Sequence, residues 1–561
     1  MRRVSLLSVL ALFLAGSALA QPTVLGVLNS AGYMLPGMPN GGLTQGAMVT
    51  AWLGGVPNFE FAKVSSLPLD TTFQGISIRI TVGATTVDAI PMIVNANTVT
   101  FVVPSSTPLG AGTMKVTYNG QTGPPFSVEI VRGCFGMFTI NQAGSGPAVM
   151  LDPANGQPNL ITNAAPPGHL WDIWGTGLGA VSGNEAVGPL PGDIKDRIDI
   201  KVYVGGKLAT VTYAGRSGCC IGIDQIRIQI PNDVSGCYVP VVVVVNGVPS
   251  NFGTISIGSS SICSDPQGFS SSQLRAIQES GKGRIARVSL NRLNLDLPGL
   301  GRQTNDSAIF IASRYSYQRL IRAQNLATVY NWGTCVVFPI KPSEEPETTT
   351  CSPRGLDPIP PDEGLDAGQV SVANSLGTKM LQLITKGTYS GSGSSFGISS
   401  PLFLEPSGSH TIAATGGVDI PGFSVNMEFP GDLDSNINSI TSVKTGIPLK
   451  LTWSGSVPQS VVIMGSSTND AMDVGAMFFC TADGAALQFT VPDYVVAAMP
   501  PSGVDEGIDV GALALVAVQP ATDLAIPRVD AAFGNASNAV FHFGVAYQHD
   551  PTPGGGGFFG Q

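Results

Sequence analysis

The 561-residue chain is 43% hydrophobic but only 12% charged, and it carries 70 Gly and 42 Pro. A globular chain is typically about a quarter charged. Abundant Gly and Pro beside Val, Thr and Ser exclude a helical bundle and favour many short strands joined by turns, and the hydrophobic fraction excludes a disordered chain. A formal charge of -10 makes the chain a poor candidate for nucleic-acid binding, since phosphate contacts need a basic face.

Residues 1–20 read as an export signal. Arg2 and Arg3 give a basic start, residues 6–15 are apolar, and Ala18-Leu19-Ala20 is a small-x-small cleavage site. The mature chain then begins at Gln21, and the apolar core is too short to span a membrane. No later apolar stretch reaches spanning length. The five valines at 241–245 suit a buried strand.

Charge is distributed unevenly. Residues 21–264 are nearly neutral at -2, residues 265–330 carry +5, and residues 331–561 carry -15. The basic stretch, with Arg275, Arg284, Arg287, Arg292, Arg314, Arg319 and Arg322, reads first as solvated strand faces. Its other readings are a contact with an acidic polysaccharide or with the acidic end of the same chain.

The N-terminal half is a tandem repeat. Ile76-Ser77-Ile78-Arg79-Ile80-Thr81-Val82-Gly83 aligns with Ile198-Asp199-Ile200-Lys201-Val202-Tyr203-Val204-Gly205. Val99 to Pro104 aligns with Ile226 to Pro231, and Met114 to Gly120 with Val241 to Gly247. The offset is 122 at Val82/Val204 and 127 at Gly120/Gly247. The second copy therefore gains five residues, around Gly218-Cys219-Cys220. β-Branched and polar residues alternate in each copy, the mark of half-buried strands, and the period is far too long for a solenoid. The reading is all-β: tandem immunoglobulin-like β-sandwiches over residues 21–130 and 131–258 with few or short helices.

The second copy also contains Asn163-Ala164-Ala165-Pro166-Pro167-Gly168, Trp174-Gly175-Thr176-Gly177-Leu178-Gly179, Tyr213-Ala214-Gly215, Asp224-Gln225-Ile226 and Asn246-Gly247-Val248-Pro249-Ser250-Asn251. With these, residues 21–258 resemble the uncharacterised C-terminal module of secreted acidobacterial proteins, which is similar to immunoglobulin-like IPT/TIG domains. In the first copy, Asn29-Ser30-Ala31-Gly32 and Trp52-Leu53-Gly54-Gly55 are weaker echoes. The resemblance implies an immunoglobulin-like fold and export, and it implies no catalytic residues.

The C-terminal half reads as a β-rich domain over residues 264–437, a sandwich over 438–550 and a Gly-rich tail over 551–561. Short helices are expected at 273–279 and 317–324, both without an evident cap. Strands are expected at 334–340, 369–373 and 379–385. Thr452-Trp453-Ser454-Gly455 and Phe489-Thr490-Val491-Pro492 look like segments of acidobacterial secreted proteins.

Eight cysteines fit an exported chain with disulfides. Cys335–Cys351 is the first pair expected, closing a fifteen-residue loop worth about 3 kcal/mol in the chain-entropy model. Cys219, Cys220, Cys237 and Cys263 are expected to form two further pairs. The adjacent Cys219 and Cys220 should each seek a distant partner. Cys134 and Cys480 are left over, and no Cys/His spacing suits zinc.

Catalytic signals are thin. Gly393-Ser394-Ser395-Phe396-Gly397 matches the nucleophile-elbow pattern but sits in a Gly/Ser tract, so it reads as a loop. The four histidines, His169, His410, His542 and His549, show no triad spacing. Asp432, Asp434 and Asn436 resemble the start of a calcium loop, but Ile437 and Val443 stand where it needs Gly and Glu. Trp171, Trp174 and Trp453 lie in apolar strand patterns and are expected in cores, leaving Trp332 as the tryptophan most suited to touching a ligand.

These features point to a secreted or cell-surface protein without a cofactor, with a structural, adhesive or ligand-binding role and no catalysis. Its partner would be a surface polysaccharide or another envelope protein. The rival reading is a carbohydrate-binding or carbohydrate-active protein working through residues 264–437.

Overall fold

The structure is a computed structural model. It describes residues 21–264, 270–297, 301–318, 332–340, 361–394 and 401–518, less 432, 441, 472–473, 503, 506–507 and 510, together with residues 559–560 and the backbone of 539–550. The expected export signal, the Gly-rich tail to residue 558, Cys351, Ser395, Asp432, Arg319 and Arg322 lie outside the described residues. The fold is all-β, built from tandem immunoglobulin-like sandwiches.

In the first copy, β1 (Met48–Gly54), β2 (Ile76–Val82), β3 (Thr98–Val102), β4 (Gly110–Tyr118) and β5 (Phe126–Val131) frame the sandwich. β1 pairs with β3 in one sheet, and β2, β4 and β5 pair in the other. The second copy repeats this with β6 (Leu170–Thr176), β7 (Ile200–Val204), β8 (Lys207–Arg216), β9 (Asp224–Gln229), β10 (Gly236–Val245) and β11 (Gly253–Ile257). β6 pairs with β9, and β7, β10 and β11 pair in order.

Two differences separate the copies. In the first, the chain after β2 splits at Ala89 into Thr85–Asp88, which pairs with β2, and Ile90–Ala96, which pairs with β3. In the second, β8 runs unbroken from β7 to β9 and ties both layers into one sheet. Met114 faces Ile80, whereas Val241, which the repeat aligns with Met114, faces Val204, two residues along from Val202. A two-residue slip leaves every side chain on its original face, so the core pattern survives. Ile78, Ile80, Met114 and Val116 fill one core, and Val202, Val204, Val241 and Val243 fill the other.

The copies are joined by buried polar contacts. The Asn29 amide donates to the Cys134 carbonyl (3.3 Å) and the Thr176 carbonyl (3.1 Å). The Met48 N–H donates to Thr176 Oγ1 (2.8 Å), whose hydroxyl donates to the Gly222 carbonyl (2.5 Å). Arg216 is ion-paired with Asp224, both fully buried, and also donates to the Gly179 carbonyl (2.9 Å). Asp224 accepts further N–H groups from Gly177 and Leu178 at 2.7 and 2.8 Å. Burial pushes the Asp224 carboxyl upward, against the pull of Arg216 and those two N–H groups. Gly46 of the first copy, at φ 71°, lies so close to the Arg216 guanidinium that a Cβ there would collide with it.

Beyond the repeats, helix α1 (Ser271–Ser280) replaces the expected 273–279. It is capped after all: Ser270 accepts the Gln273 N–H while the Gln273 side chain accepts the Ser270 N–H. Leu274 and Ile277 seal it against Ile161, Tyr238 and Val336. The expected 317–324 helix falls mostly outside the described residues.

The C-terminal half contains β12 (Lys282–Leu297), β13 (Gly301–Ser316), β14 (Thr334–Ile340), β15 (Val370–Asn374), β16 (Gly377–Met380), β17 (Gln382–Thr385), β18 (Thr388–Ser394), β19 (Ser409–Ala414) and β20 (Phe423–Glu428). It continues through β21 (Leu433–Ser435), β22 (Leu449–Gly455), β23 (Ser460–Thr468), β24 (Gly475–Asp483), β25 (Gln488–Val491), β26 (Ala512–Val518) and β27 (Ala539–Asp550). One ten-stranded sheet runs β14-β24-β23-β26-β27-β12-β13-β18-β17, with the two-residue strand Glu363–Gly364 paired to β13 as its tenth member. The sheet β16-β15-β19-β20 packs on its β12–β18 end, and β21-β22-β25 shares a core with its β14–β26 end. The 437/438 division expected from sequence therefore runs through one shared sheet, because β14 pairs with β24 across it.

The basic stretch is not simply solvated. Arg292 lies opposite Asp306 on the β12–β13 hairpin, where the two form a buried bidentate pair at 2.7 and 3.0 Å. The Leu404 carbonyl also accepts from Arg292, and the Phe403 and Leu404 N–H groups donate to Asp306. Both Asp306 oxygens and two of the Arg292 guanidinium nitrogens are therefore hydrogen-bonded, which offsets the cost of burying the charges.

Candidate functional site

The strongest candidate is the outer face of the second sandwich. Strand alternation sends Trp171 and Ile173 of β6 into the core and Asp172 and Trp174 outward. The expectation of a core Trp174 is thus corrected. It stands three residues from Trp171, and an odd spacing on a strand places two residues on opposite faces. Trp171 and Trp453 are buried as expected.

Register assembles the face in rows. Trp174 is opposite Gln225, which is opposite Gly215, and Asp172 is opposite Arg227, which is opposite Tyr213. Leu170 and Gln229 form the third row at the exposed end. Arg227 holds Asp172 in a bidentate pair at 2.7 and 2.8 Å, and the Gln225 amide donates to the same carboxylate at 2.7 Å. The bond to Asp172 raises Arg227 above its ordinary value, so the guanidinium stays charged and fixed in plane. Tyr213 donates to the Arg216 carbonyl at 2.6 Å, and burial pushes its phenol up. The Trp174 indole Nε1 is buried with no hydrogen-bond partner among the described residues.

Two strand spacings and one two-residue step place the Trp174 and Tyr213 Cα atoms roughly 12 Å apart. Between them lie a charge-balanced Asp–Arg pair and a neutral amide. Such a surface offers apolar ring faces and planar hydrogen-bonding groups with no net charge. It suits a neutral, hydroxyl-rich ligand, and it holds no nucleophile paired with a base.

The remaining sequence candidates are dispersed. Trp332 is 51% exposed on the turn before β14, and the neighbouring Gly333 N–H donates to the Thr481 carbonyl at 2.6 Å. Asn436 is occupied by the β22 backbone, donating to Lys450 and accepting from Thr452, and Asp434 is exposed. His169 is exposed at the end of the second-sandwich face. His410 is buried, accepting the Glu405 N–H on Nε2 at 3.0 Å with Nδ1 on the Gly408 carbonyl, and burial lowers its pKa. It is a structural histidine that ties a turn. Among the described residues no cluster of three metal-ligating side chains occurs.

Disulfide pairing differs from the expectation in two places. Cys335 bonds to Cys480, which faces it across β14 and β24, so the expected Cys335–Cys351 bridge is replaced. Cys219 bonds to its neighbour Cys220 on the junction loop, where each had been expected to find a distant partner. Cys237–Cys263 lies within the expected group of four. Cys134 is a free thiol, buried and donating to the Asn40 carbonyl, and burial pushes it up to about 12.

No family model matches the chain, and no curated protein does. Among solved structures it is similar to a Bacteroides ovatus mixed-linkage glucan utilization protein, SGBP-B, in complex with a heptasaccharide. The identity is 8%, the match covers 84% of this chain and 97% of that one, and the TM-score is 0.14. It is also similar to a calcium-stabilized adhesin with which an Antarctic bacterium binds ice, at 10% identity, covering 90% and 94%, TM-score 0.11. Titin domains A168–A170 match at 10% identity, covering 73% and 97%, TM-score 0.13. Among the described residues no helix is long and apolar enough to cross a membrane.

Proposed function

We propose that this chain is an exported, non-catalytic surface protein whose rigidly joined sandwiches hold a binding face for a neutral polysaccharide. The observation that carries the reading is the Trp174–Gln225–Asp172–Arg227–Tyr213 face, where two aromatic rings flank a fixed, charge-balanced hydrogen-bonding centre. Neutrality of the ligand follows from two facts. The face carries no free charge, and the mature chain is acidic, so an anionic glycan is repelled. The export leader, the disulfides and the likeness to acidobacterial secreted modules support the surface location.

A glycan array probed with the full mature chain tests it. Binding to neutral glycans should fall at least tenfold in Trp174→Ala and Arg227→Ala and persist in Trp332→Ala. Loss in Trp332→Ala alone would transfer the role to residues 264–437. Silence across plant, fungal and bacterial glycans would remove the binding reading, and turnover of any of them would remove the non-catalytic one.

A further inference from the structure

The loop of residues 217–223, between β8 and β9, is where the second copy grips the first. Ile221 is buried with Leu69, Ile90 and Val102 of the first copy. The Gly222 carbonyl accepts the Thr176 hydroxyl, and the same Thr176 oxygen accepts the Met48 N–H across the junction. A Cβ on Gly222 would press on Val102 and Met48. The five residues that the second copy gains over the first fall around Gly218-Cys219-Cys220, so the grip is part of what distinguishes the two repeats.

At the centre of the loop is the bridge between neighbours, Cys219–Cys220. Joining adjacent residues restricts the unfolded chain very little, so its effect is local. The bridge closes a small ring through the Cys219–Cys220 peptide and holds the backbone on both sides of that bond. The Cys220 carbonyl at the end of this ring accepts the Ser217 hydroxyl at 3.2 Å and the Ile223 N–H at 3.4 Å. The Ile223 carbonyl accepts the Ser217 N–H at 2.9 Å and closes the turn that carries Ile221 and Gly222. This bridge is also the reachable one. Gly218 and Cys219 are exposed, and a Cβ on Gly218 would meet nothing within 4 Å. Cys237, Cys263, Cys335 and Cys480 are all buried. Exposed bridges are the labile ones, because exchange needs a thiolate to reach a sulfur.

We infer that Cys219–Cys220 is a redox-sensitive latch on the junction between the two sandwiches, opened by a dithiol reductant. A thiolate of the reductant attacks the exposed Cys219 sulfur, the bond to Cys220 breaks, and Cys220 leaves as a thiolate that takes a proton from water. The reductant's second thiolate then attacks its own sulfur in the mixed disulfide. The reductant closes to a cyclic disulfide, and Cys219 leaves as a thiolate and is protonated in turn. Two electrons pass from the dithiol to the bridge. Cys219 and Cys220 regain backbone freedom, which favours open forms of the loop, and Ile221 and Gly222 release the first copy. The two sandwich cores take no part, so the change is a local opening and not an unfolding.

The test is hydrogen exchange of the full mature chain, titrated with dithiothreitol at neutral pH while alkylation and peptide mapping locate the new thiols. Cys219 and Cys220 should be alkylated before Cys237, Cys263, Cys335 and Cys480. Exchange at the Met48 N–H, which is donated across the junction, should then rise at least tenfold and fall again on reoxidation. The ladder amides of β2 and β7 should keep their protection throughout. Cys219→Ser with Cys220→Ser should exchange fast at Met48 with or without the dithiol. Reduction of Cys219–Cys220 that leaves Met48 as protected as before overturns the inference. So does a buried bridge that opens first, and so does a double serine variant that protects Met48 as well as the oxidised wild type. Glycan binding by the Trp174 face is read separately, so neither result decides the other.

Discussion

β4 and β10 are the same strand in two copies of one sandwich, and they meet different surroundings. The outward positions of β4 carry Lys115 and Thr117. The aligned positions of β10 carry Val242 and Val244. Lys115 is exposed beside Arg79, which is paired with Asp88. Val242 and Val244 are buried together with Phe252 against Val337, Leu451 and Tyr494 of the C-terminal half, while Tyr203 stacks on Tyr494 at 4.3 Å between ring centroids. The inward positions hardly differ: Met114 and Val116 in one copy, Val241 and Val243 in the other. The fold of a sandwich is thus encoded on its inner face, and its neighbours are encoded on its outer one. Burying both valines contributes on the order of 1.5–3 kcal/mol each.

The largest expected effect comes from exchanging these outer residues. Val242→Lys places an unpaired ammonium in a closed apolar contact and should cost about 3–5 kcal/mol. The mirror change, Lys115→Val, should stay within about 0.5 kcal/mol. Urea unfolding of the two variants is the measurement. Equal midpoints would mean that the second sandwich does not depend on its outer contact, and the comparison would fail.

A second contrast sits in the disulfides. Cys335–Cys480 spans 145 residues of sequence and staples β14 to β24, whereas Cys219–Cys220 spans one. A bridge acts largely by restricting the unfolded chain, and more so for longer loops. The double change Cys335→Ala with Cys480→Ala should therefore lower stability by about 2–5 kcal/mol. Cys219→Ser with Cys220→Ser closes no loop worth counting and should leave the unfolding midpoint almost unchanged. Similar losses from both pairs would show that the junction loop depends on its bridge more than loop closure allows.

The sequence disclosed much of the repeat half, because its information is local. Alternation marked the strands, the offsets marked the repeat, and the valine run marked a strand covered on both sides. The outward Trp174 was legible too, since Trp171-Asp172-Ile173-Trp174 on one strand sets Trp174 beside Asp172 and away from Trp171. The α1 cap was present as Ser270 followed three residues later by Gln273. The C-terminal half was read less well for a physical reason. β14 pairs with β24, and β12 lies parallel to β27. Partners so distant in sequence are chosen by packing, and no local pattern names them. The same distance hid Cys480 as the partner of Cys335, since loop closure alone favours the nearer Cys351.

The smallest effect separates the carboxylates of the two halves by pH. In the repeats, Asp224 is sealed against Arg216. In the C-terminal half, beside the sheet β16-β15-β19-β20, Asp366 accepts the Gly368 and Val418 N–H groups at 2.9 and 3.2 Å and the Tyr389 hydroxyl at 3.3 Å. Asp419 accepts the Asp366 N–H at 3.0 Å and pairs with Lys386. Backbone N–H groups hold both Asp366 and Asp419 below the ordinary carboxylate value. A carboxyl depressed in the folded state adds stability that is fully present above its unfolded pKa, about 3.9. That stability drains away as pH falls through the lower folded value. Unfolding midpoints should therefore drop below about pH 4, and Asp366→Asn should flatten that drop while leaving the Val242→Lys penalty intact at neutral pH. If Asp366→Asn loses stability on the acid side as steeply as the wild type, the acid sensitivity of this half lies outside the Asp366–Asp419 loop contact.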